Sequence, residues 1–138
     1  MARWLFKSEP DCYSFDDLRR DGSTLWDGVT NALARKHLRA VQPGDEILFY
    51  HTGDDKAVIG VMKAIGAPQP DPKSDDEKAV VVEVRPIRAF TNPVSLTRIK
   101  GEARLASWDL VRISRLSVMP VSDAQWKLVE QLAQKPDD

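Results

Sequence analysis

The chain predicts a small α+β fold: one curled sheet of about five strands, with short helices packed over it. Three observations lead there. Two apolar runs rich in β-formers, Glu46 to His51 and Ala57 to Ile65, flank a loop, Thr52-Gly53-Asp54-Asp55, that contains the glycine a hairpin uses. A third run, Ala79 to Phe90, carries Val80-Val81-Val82 and Val84 at strand spacing. Helical spacing is confined to short stretches between and after these runs.

The elements follow in order. Arg3 to Lys7 reads as a first strand, rich in Trp, Leu and Phe and stopped by Pro10. Ser14-Phe15-Asp16-Asp17-Leu18 predicts a short helix with a serine cap, closed by Asp21-Gly22. A helix over about residues 30–41 ends before the turn signal Pro43-Gly44-Asp45. Leu33, Ala34, Leu38 and Val41 share its apolar face, and Arg35, Lys36 and Arg39 project from the other. Residues 66–78 hold three prolines, Gly66 and four acids, which predicts an exposed, mobile loop. The long strand that follows is broken at Pro93, Ser95 to Lys100 is one helical turn ended by Gly101, and Leu116 to Met119 is a short strand. The last helix starts at Ser122, where Ser122-x-x-Gln125 forms a capping box, and Trp126, Val129 and Leu132 or Ala133 give its apolar stripe. Trp4, Phe6 and Trp126 belong to the core, Trp108 fits no pattern, and Gln134–Asp138 should fray.

At 138 residues the chain suits one domain, 1–138, with a core that needs no disulfide or metal staple. The single cysteine, Cys12, excludes an internal disulfide and any multi-cysteine zinc site, and fits a reducing compartment. Lys7 and Glu9 interrupt the first apolar stretch, so no signal peptide is expected, and nothing approaches the roughly 20 apolar residues of a membrane span. The expectation is a monomer with no membrane partner, cytoplasmic, or nuclear in a eukaryote. The formal net charge of −1 conceals segregation: residues 85–115 carry seven cations against Glu102 and Asp109. A basic face of that kind suits phosphate contact, although most surface charge is simply solvated.

Trp26-Asp27-Gly28-Val29-Thr30-Asn31 places a large aromatic, a flexible glycine and an amide just ahead of a basic helix. Gly28 allows a sharp turn, and a helix start gathers N–H groups that can receive an anion or a carbonyl. A planar ring beside such donors can hold a flat heteroaromatic ligand such as a base. By residue type alone, Trp26 reads more readily as a hydrophobic anchor than as a ligand platform, with Arg35 and Arg39 solvated, since aromatic anchors are common in cores. Catalytic readings are thin. Cys12 and His51 form a conceivable thiol–imidazole pair, but a lone cysteine is usually a small buried residue. His37 and His51 make no metal spacing, Glu9, Asp27 and Asp45 are a loose carboxylate set, and no phosphate loop or dinucleotide fingerprint occurs. No catalytic residue, metal ligand or cofactor is assigned.

Three stretches carry a resemblance. They are Arg3-Trp4-Leu5-Phe6-Lys7-Ser8-Glu9-Pro10, Trp26-Asp27-Gly28-Val29, and Arg112-Ile113-Ser114-Arg115-Leu116-Ser117-Val118-Met119-Pro120-Val121. With Gly44-Asp45 and Phe49-Tyr50-His51 they resemble the EVE domain family in its order and spacing, from about residue 3 to about 132. His37 stands where that pattern has asparagine, Gln69 replaces an aromatic before Pro70-Asp71-Pro72, and residues 77–82 lack a tryptophan. The resemblance implies a PUA-like fold, a small curled β-barrel with flanking helices, related to the YTH domains. It implies a non-catalytic reader of a modified base in DNA or RNA, with the base flipped into a pocket. In that pocket Trp26 would stack on the base and Asn31 would bond its polar edge. Ser8 and the backbone at Asp27-Gly28 would line it, and Tyr50 and His51 would close it. Lys7 and Arg35 would stand near the mouth, and Arg112 and Arg115 either meet phosphates or pair structurally. Two other readings stay open: a binding module for a free nucleoside or other small molecule, and a nucleic-acid-processing enzyme.

Overall fold

The computed structural model describes residues 1–136. Asp137 and Asp138, part of the expected fraying tail, lie outside the described residues. The strands are β1 (Arg3–Ser8), β2 (Thr24–Trp26), β3 (Glu46–His51), β4 (Ala57–Ala64), β5 (Gln69–Pro70), β6 (Val80–Ser95) and β7 (Val118–Pro120). The helices are α1 (Phe15–Asp21), α2 (Ala32–Ala40), α3 (Leu96–Lys100), α4 (Asp109–Arg112) and α5 (Asp123–Ala133), with a 3-10 turn at Ala103–Leu105. Strand order is β2-β6-β4-β3-β1-β7, with β5 paired to β6.

The caps written into the sequence form. Ser14 accepts from the Asp17 N–H while Asp17 returns a bond to the Ser14 N–H, a capping box at α1. Ser122 and Gln125 do the same at α5. The β3–β4 hairpin forms as expected. Sheet curvature comes from β-bulges, one between β3 and β4 and two between β4 and β6, since an extra residue on one strand bends and twists it.

Four expectations are corrected. The sheet has seven strands among the described residues, where about five were expected. Pro93 does not end β6, which continues to Ser95. In the β4–β6 register Gly60 faces Ala89 and Val58 faces Val94, so residues 90–93 bulge opposite Ile59 and the missing N–H of Pro93 removes no regular ladder bond. The segment 66–78 is exposed but structured: Gln69 and Pro70 pair with Val81 and Val80, and the Asp71 N–H donates to the Ala79 carbonyl at 3.1 Å. Leu33 leaves the apolar face of α2 and is 40% exposed.

One aromatic cluster fills the sheet beneath α1. Trp26 lies 5.4 Å from Phe6 and 5.3 Å from Phe49 between ring centroids, and Phe15 meets Phe49 edge-on at 5.3 Å. Phe15 can approach because Gly60 has no side chain; a Cβ there would stand 2.9 Å from the Phe15 ring and 2.6 Å from the Arg88 carbonyl. Trp4 donates its indole N–H to Asp45 at 3.0 Å. Asp45, 3% exposed, also accepts from the Gln42 and Ala2 N–H groups, so it braces the turn before β3. Trp108 is buried too, with its Nε1 unpartnered among the described residues.

Candidate functional site

A cleft of about 450 Å³ opens where the loop after β1, strand β2 and the turn after β5 converge. That volume is within the usual range of small-ligand sites. Ser8, Cys12 and Tyr13 form one wall, Thr24, Leu25, Trp26 and Asp27 the base, and Asp71, Pro72 and Lys73 the opposite wall. Local structure fixes each. Ser8 ends β1 and donates its hydroxyl to the Tyr13 carbonyl, which folds the Glu9–Tyr13 loop back beside it. The Tyr13 hydroxyl donates to Asp21 at 2.9 Å; burial first, then the bond to that carboxylate, pushes the phenol above its ordinary value. Trp26 ends β2, and the chain then turns at Gly28, whose φ of 74° suits glycine. Trp26 is 7% exposed, so it is a core ring whose remaining surface meets the cleft.

The wall formed by 71–73 is tied down from α2. Arg35 donates from Nε to the Val29 carbonyl at 2.7 Å and from a terminal nitrogen to Asp76 at 2.9 Å. Asp76 also accepts from the Lys78 N–H, and these two bonds hold its carboxyl below the usual range. Arg39 reaches the Lys78 carbonyl. Arg35 is therefore neither solvated nor a free cation: it fastens the cleft wall to the helix.

The structure gathers some of the expected residues and separates others. Ser8, Trp26 and Asp27 line the cleft, with Gly28 next in chain. Asn31 caps α2, accepting from the Ala34 N–H at 2.9 Å, and is not among the lining residues. His51 sits across from Ser8 in the β1–β3 ladder, its Nε2 accepting from the Phe15 N–H and its Nδ1 bonded to Asp55, both at 3.0 Å. That pairing fixes the tautomer with the proton on Nδ1 and leaves neither nitrogen for Cys12. Lys7 and Tyr50 pair across the same ladder but face away from Phe6, Ser8 and Trp26, because side chains alternate along a strand. Arg112 pairs with Asp109 at 3.4 Å, and exposed Arg115 makes no ion pair among the described residues. Glu9 and Asp45 serve separate ends of the sheet: Glu9 accepts from Thr52, Asp45 from Trp4. Among the described residues no three His, Cys, Asp or Glu side chains gather as a metal would require, and no helix is long and apolar enough to cross a membrane.

Sequence reasoning does not reach Tyr13, Thr24, Asp71 or Lys73. An aromatic in the loop after Ser8 is a usable signal for Tyr13. Pro70-Asp71-Pro72 belongs to the family pattern, but nothing local places Asp71 or Lys73 in the cleft, which depends on the two-residue pairing of β5.

The sequence matches the EVE domain over residues 2–132, nearly the whole chain. It belongs to the EVE domain family. Among relatives of this EVE domain, human thymocyte nuclear protein 1 is 28% identical, over 97% of this chain and 75% of that protein. An NMR structure of Rpa0253 from Rhodopseudomonas palustris superposes with a TM-score of 0.92 at 37% identity, covering 97% of this chain and 94% of that one. The crystal structure of human THYN1 in complex with DNA containing 5-methylcytosine superposes with a TM-score of 0.91 at 28% identity, covering 99% and 100%. The EVE domain thus has the expected PUA-like fold: a mixed sheet curled into a half-barrel with several short helices.

Proposed function

We propose that this EVE domain is a non-catalytic nucleic-acid-binding module that reads a modified base in DNA or RNA. The observation that carries the proposal is the superposition, over nearly its full length, on a relative solved with DNA containing 5-methylcytosine. The base would enter the cleft of Ser8, Tyr13, Trp26 and Asp27 after flipping from its stack. The exposed margin of Trp26 offers an aromatic surface, and base–aromatic stacking is worth about 1–3 kcal/mol. An added methyl contributes only about 0.8 kcal/mol by burial, so polarity must supply the rest of the selectivity.

The cleft is rich in acceptors. The Ser8 proton is already given to Tyr13, which leaves the oxygen's lone pairs, and Asp27 and Asp71 add carboxylates against the single ammonium of Lys73. Such a surface favours a base edge that donates, the exocyclic amine of a cytosine or adenine, over a carbonyl edge. Gly28 shapes the floor, Asn31 keeps an amide N–H2 for a neighbouring nucleotide, and His51 supports the cleft from beneath. The cytoplasm is the proposed compartment, in keeping with one free, exposed thiol at Cys12.

The test compares single-stranded oligonucleotides identical but for one residue: 5-methylcytosine, cytosine or thymine. Thymine keeps the methyl and replaces the amine by a carbonyl. Tightest binding to 5-methylcytosine, or to another amine-bearing modified base, with an affinity that falls as salt rises, is the expected result. Equal binding of every oligonucleotide across a panel of modified bases would refute the reading. A free nucleoside binding as tightly, indifferent to salt, would favour a small-molecule module instead.

A further inference from the structure

The other face of β1 and β3 carries a second cleft, of about 290 Å³, that the base site leaves unexplained. Lys7 from β1, Lys56 from the turn before β4 and Lys100 from the end of α3 all line it, and no Asp or Glu does. Among the described residues none of these lysines is paired with a carboxylate. At the rim, Glu9 accepts from the Thr52 hydroxyl at 3.2 Å. Lys7 donates to the Ser114 carbonyl at 3.0 Å and its ammonium sits 5.6 Å over the Tyr50 ring. Burial lowers its pKa, as expected of a cation held partly out of water without a counter-ion.

Tyr50 is the second observation. It is 3% exposed and lines this cleft, yet its hydroxyl has no hydrogen-bond partner among the described residues. The ring is buried while the hydroxyl opens on the cleft, where it can donate to an acceptor that enters. Burial pushes its pKa up to about 12, so it stays protonated at any physiological pH. Leu96, Leu110 and Val111 supply apolar surface beside these donors, which suits a ligand with an organic body. Lys56 adds a third sign: its φ of 41° is left-handed, a strain that a non-glycine residue rarely carries.

We propose that this cleft is a phosphate-binding subsite, in which Lys7, Lys56, Lys100 and the Tyr50 hydroxyl receive a phosphoryl group borne by a nucleotide or by a nucleic-acid backbone. Three ammoniums with no carboxylate partner among the described residues, beside a phenol that can donate, match the charge and acceptor oxygens of that group. The inference does not rest on base reading, because the cleft and Trp26 lie on opposite faces of the sheet.

Three probes define the source: inorganic phosphate, a nucleoside 5′-monophosphate and an unmodified single-stranded oligonucleotide. Binding is followed by amide shifts of the 15N-labelled protein. Shifts at Tyr50, Lys56 and Lys100 with the mononucleotide mark a free nucleotide as ligand, and with the oligonucleotide alone a backbone phosphate. Lys56→Gly removes an ammonium while relieving the left-handed strain, so it should fold at least as well and bind about tenfold more weakly. Lys100→Gln should act alike at an exposed site, and each should lower the salt slope by about 0.7–0.9. Undiminished binding in both variants, or no shift at this face with any probe, overturns the proposal. Neither result touches 5-methylcytosine preference, which Trp26 variants report separately.

Discussion

Trp26 has two roles that can be measured apart. Trp26→Ala removes its ring contacts with Phe6 and Phe49 and leaves a void in the aromatic cluster. Truncations of this size cost about 3–5 kcal/mol. A domain of 138 residues has about 7–20 kcal/mol in hand, so the variant stays folded at 25 °C and its binding remains measurable. If a base rests on the exposed margin of the ring, affinity falls by a further amount of about 1–3 kcal/mol, roughly 5- to 150-fold. Phe49→Ala is the matched control, since Phe49 is fully buried in the same cluster and does not line the cleft. It should lose comparable stability while its affinity changes by about twofold at most. Urea denaturation gives the first quantity, and fluorescence anisotropy with a 5-methylcytosine oligonucleotide the second. Unchanged affinity in Trp26→Ala, or equal affinity losses in both variants, would refute direct contact between ring and base.

Three further outcomes follow from packing and charge. Gly60→Ala forces a Cβ to within 2.6 Å of the Arg88 carbonyl and should cost about 1–3 kcal/mol or more, read as a lower urea midpoint; an unchanged midpoint would show that β6 yields freely. Asp45→Ala orphans the buried Trp4 indole N–H and should cost about 1–3 kcal/mol for that group alone, whereas Asp45→Asn keeps an acceptor and should cost less; thermal melts that rank the two in reverse would contradict the bracing role. Asp76 has a folded pKa below its unfolded value, so its tether to Arg35 is intact above about pH 4 and is lost as pH falls through the lowered folded value. An NMR titration should show the Asp76 side-chain carboxyl signal constant above about pH 4 and moving below it, together with the Arg35 terminal N–H2 that bonds it, and a shift centred near neutrality would exclude Asp76 as the partner.

Much of this architecture is readable in local chemistry, and what escapes reading is long-range. Ser14 and Ser122 announce their helices because a cap is satisfied within three residues. The β3–β4 hairpin is legible for the same reason, its partners being close in sequence. Pro93 misleads because its effect depends on where β4 puts its ladder bonds, which no local pattern reveals. The same holds at the candidate site. Ser8, Trp26 and Asp27 belong to one cleft, and the quoted motifs name all three. Tyr50 and Lys7 adjoin them in sequence and motif, but strand alternation turns them to the opposite face. Arg35 looks like a solvated or phosphate-seeking cation until the segment around Asp76 is folded against it.

The position of β1 has a consequence for biosynthesis. This strand is translated before the rest of the sheet, yet Arg3 pairs with Glu46 in parallel and Leu5 faces Met119 on the far side. Its first neighbour is translated some time later, and its second only near the end of the described chain. Until Val118–Pro120 appears, one rim of Trp4-Leu5-Phe6 presents unpaired backbone and apolar side chains, a template for any passing strand. Vectorial growth therefore cannot complete this domain in order from its N-terminus, and the interval before β7 docks is when a nascent chain most needs shielding by a chaperone. A nonsense product ending before Val118 would carry that sticky rim permanently, and should be found in inclusion bodies or cleared by proteolysis.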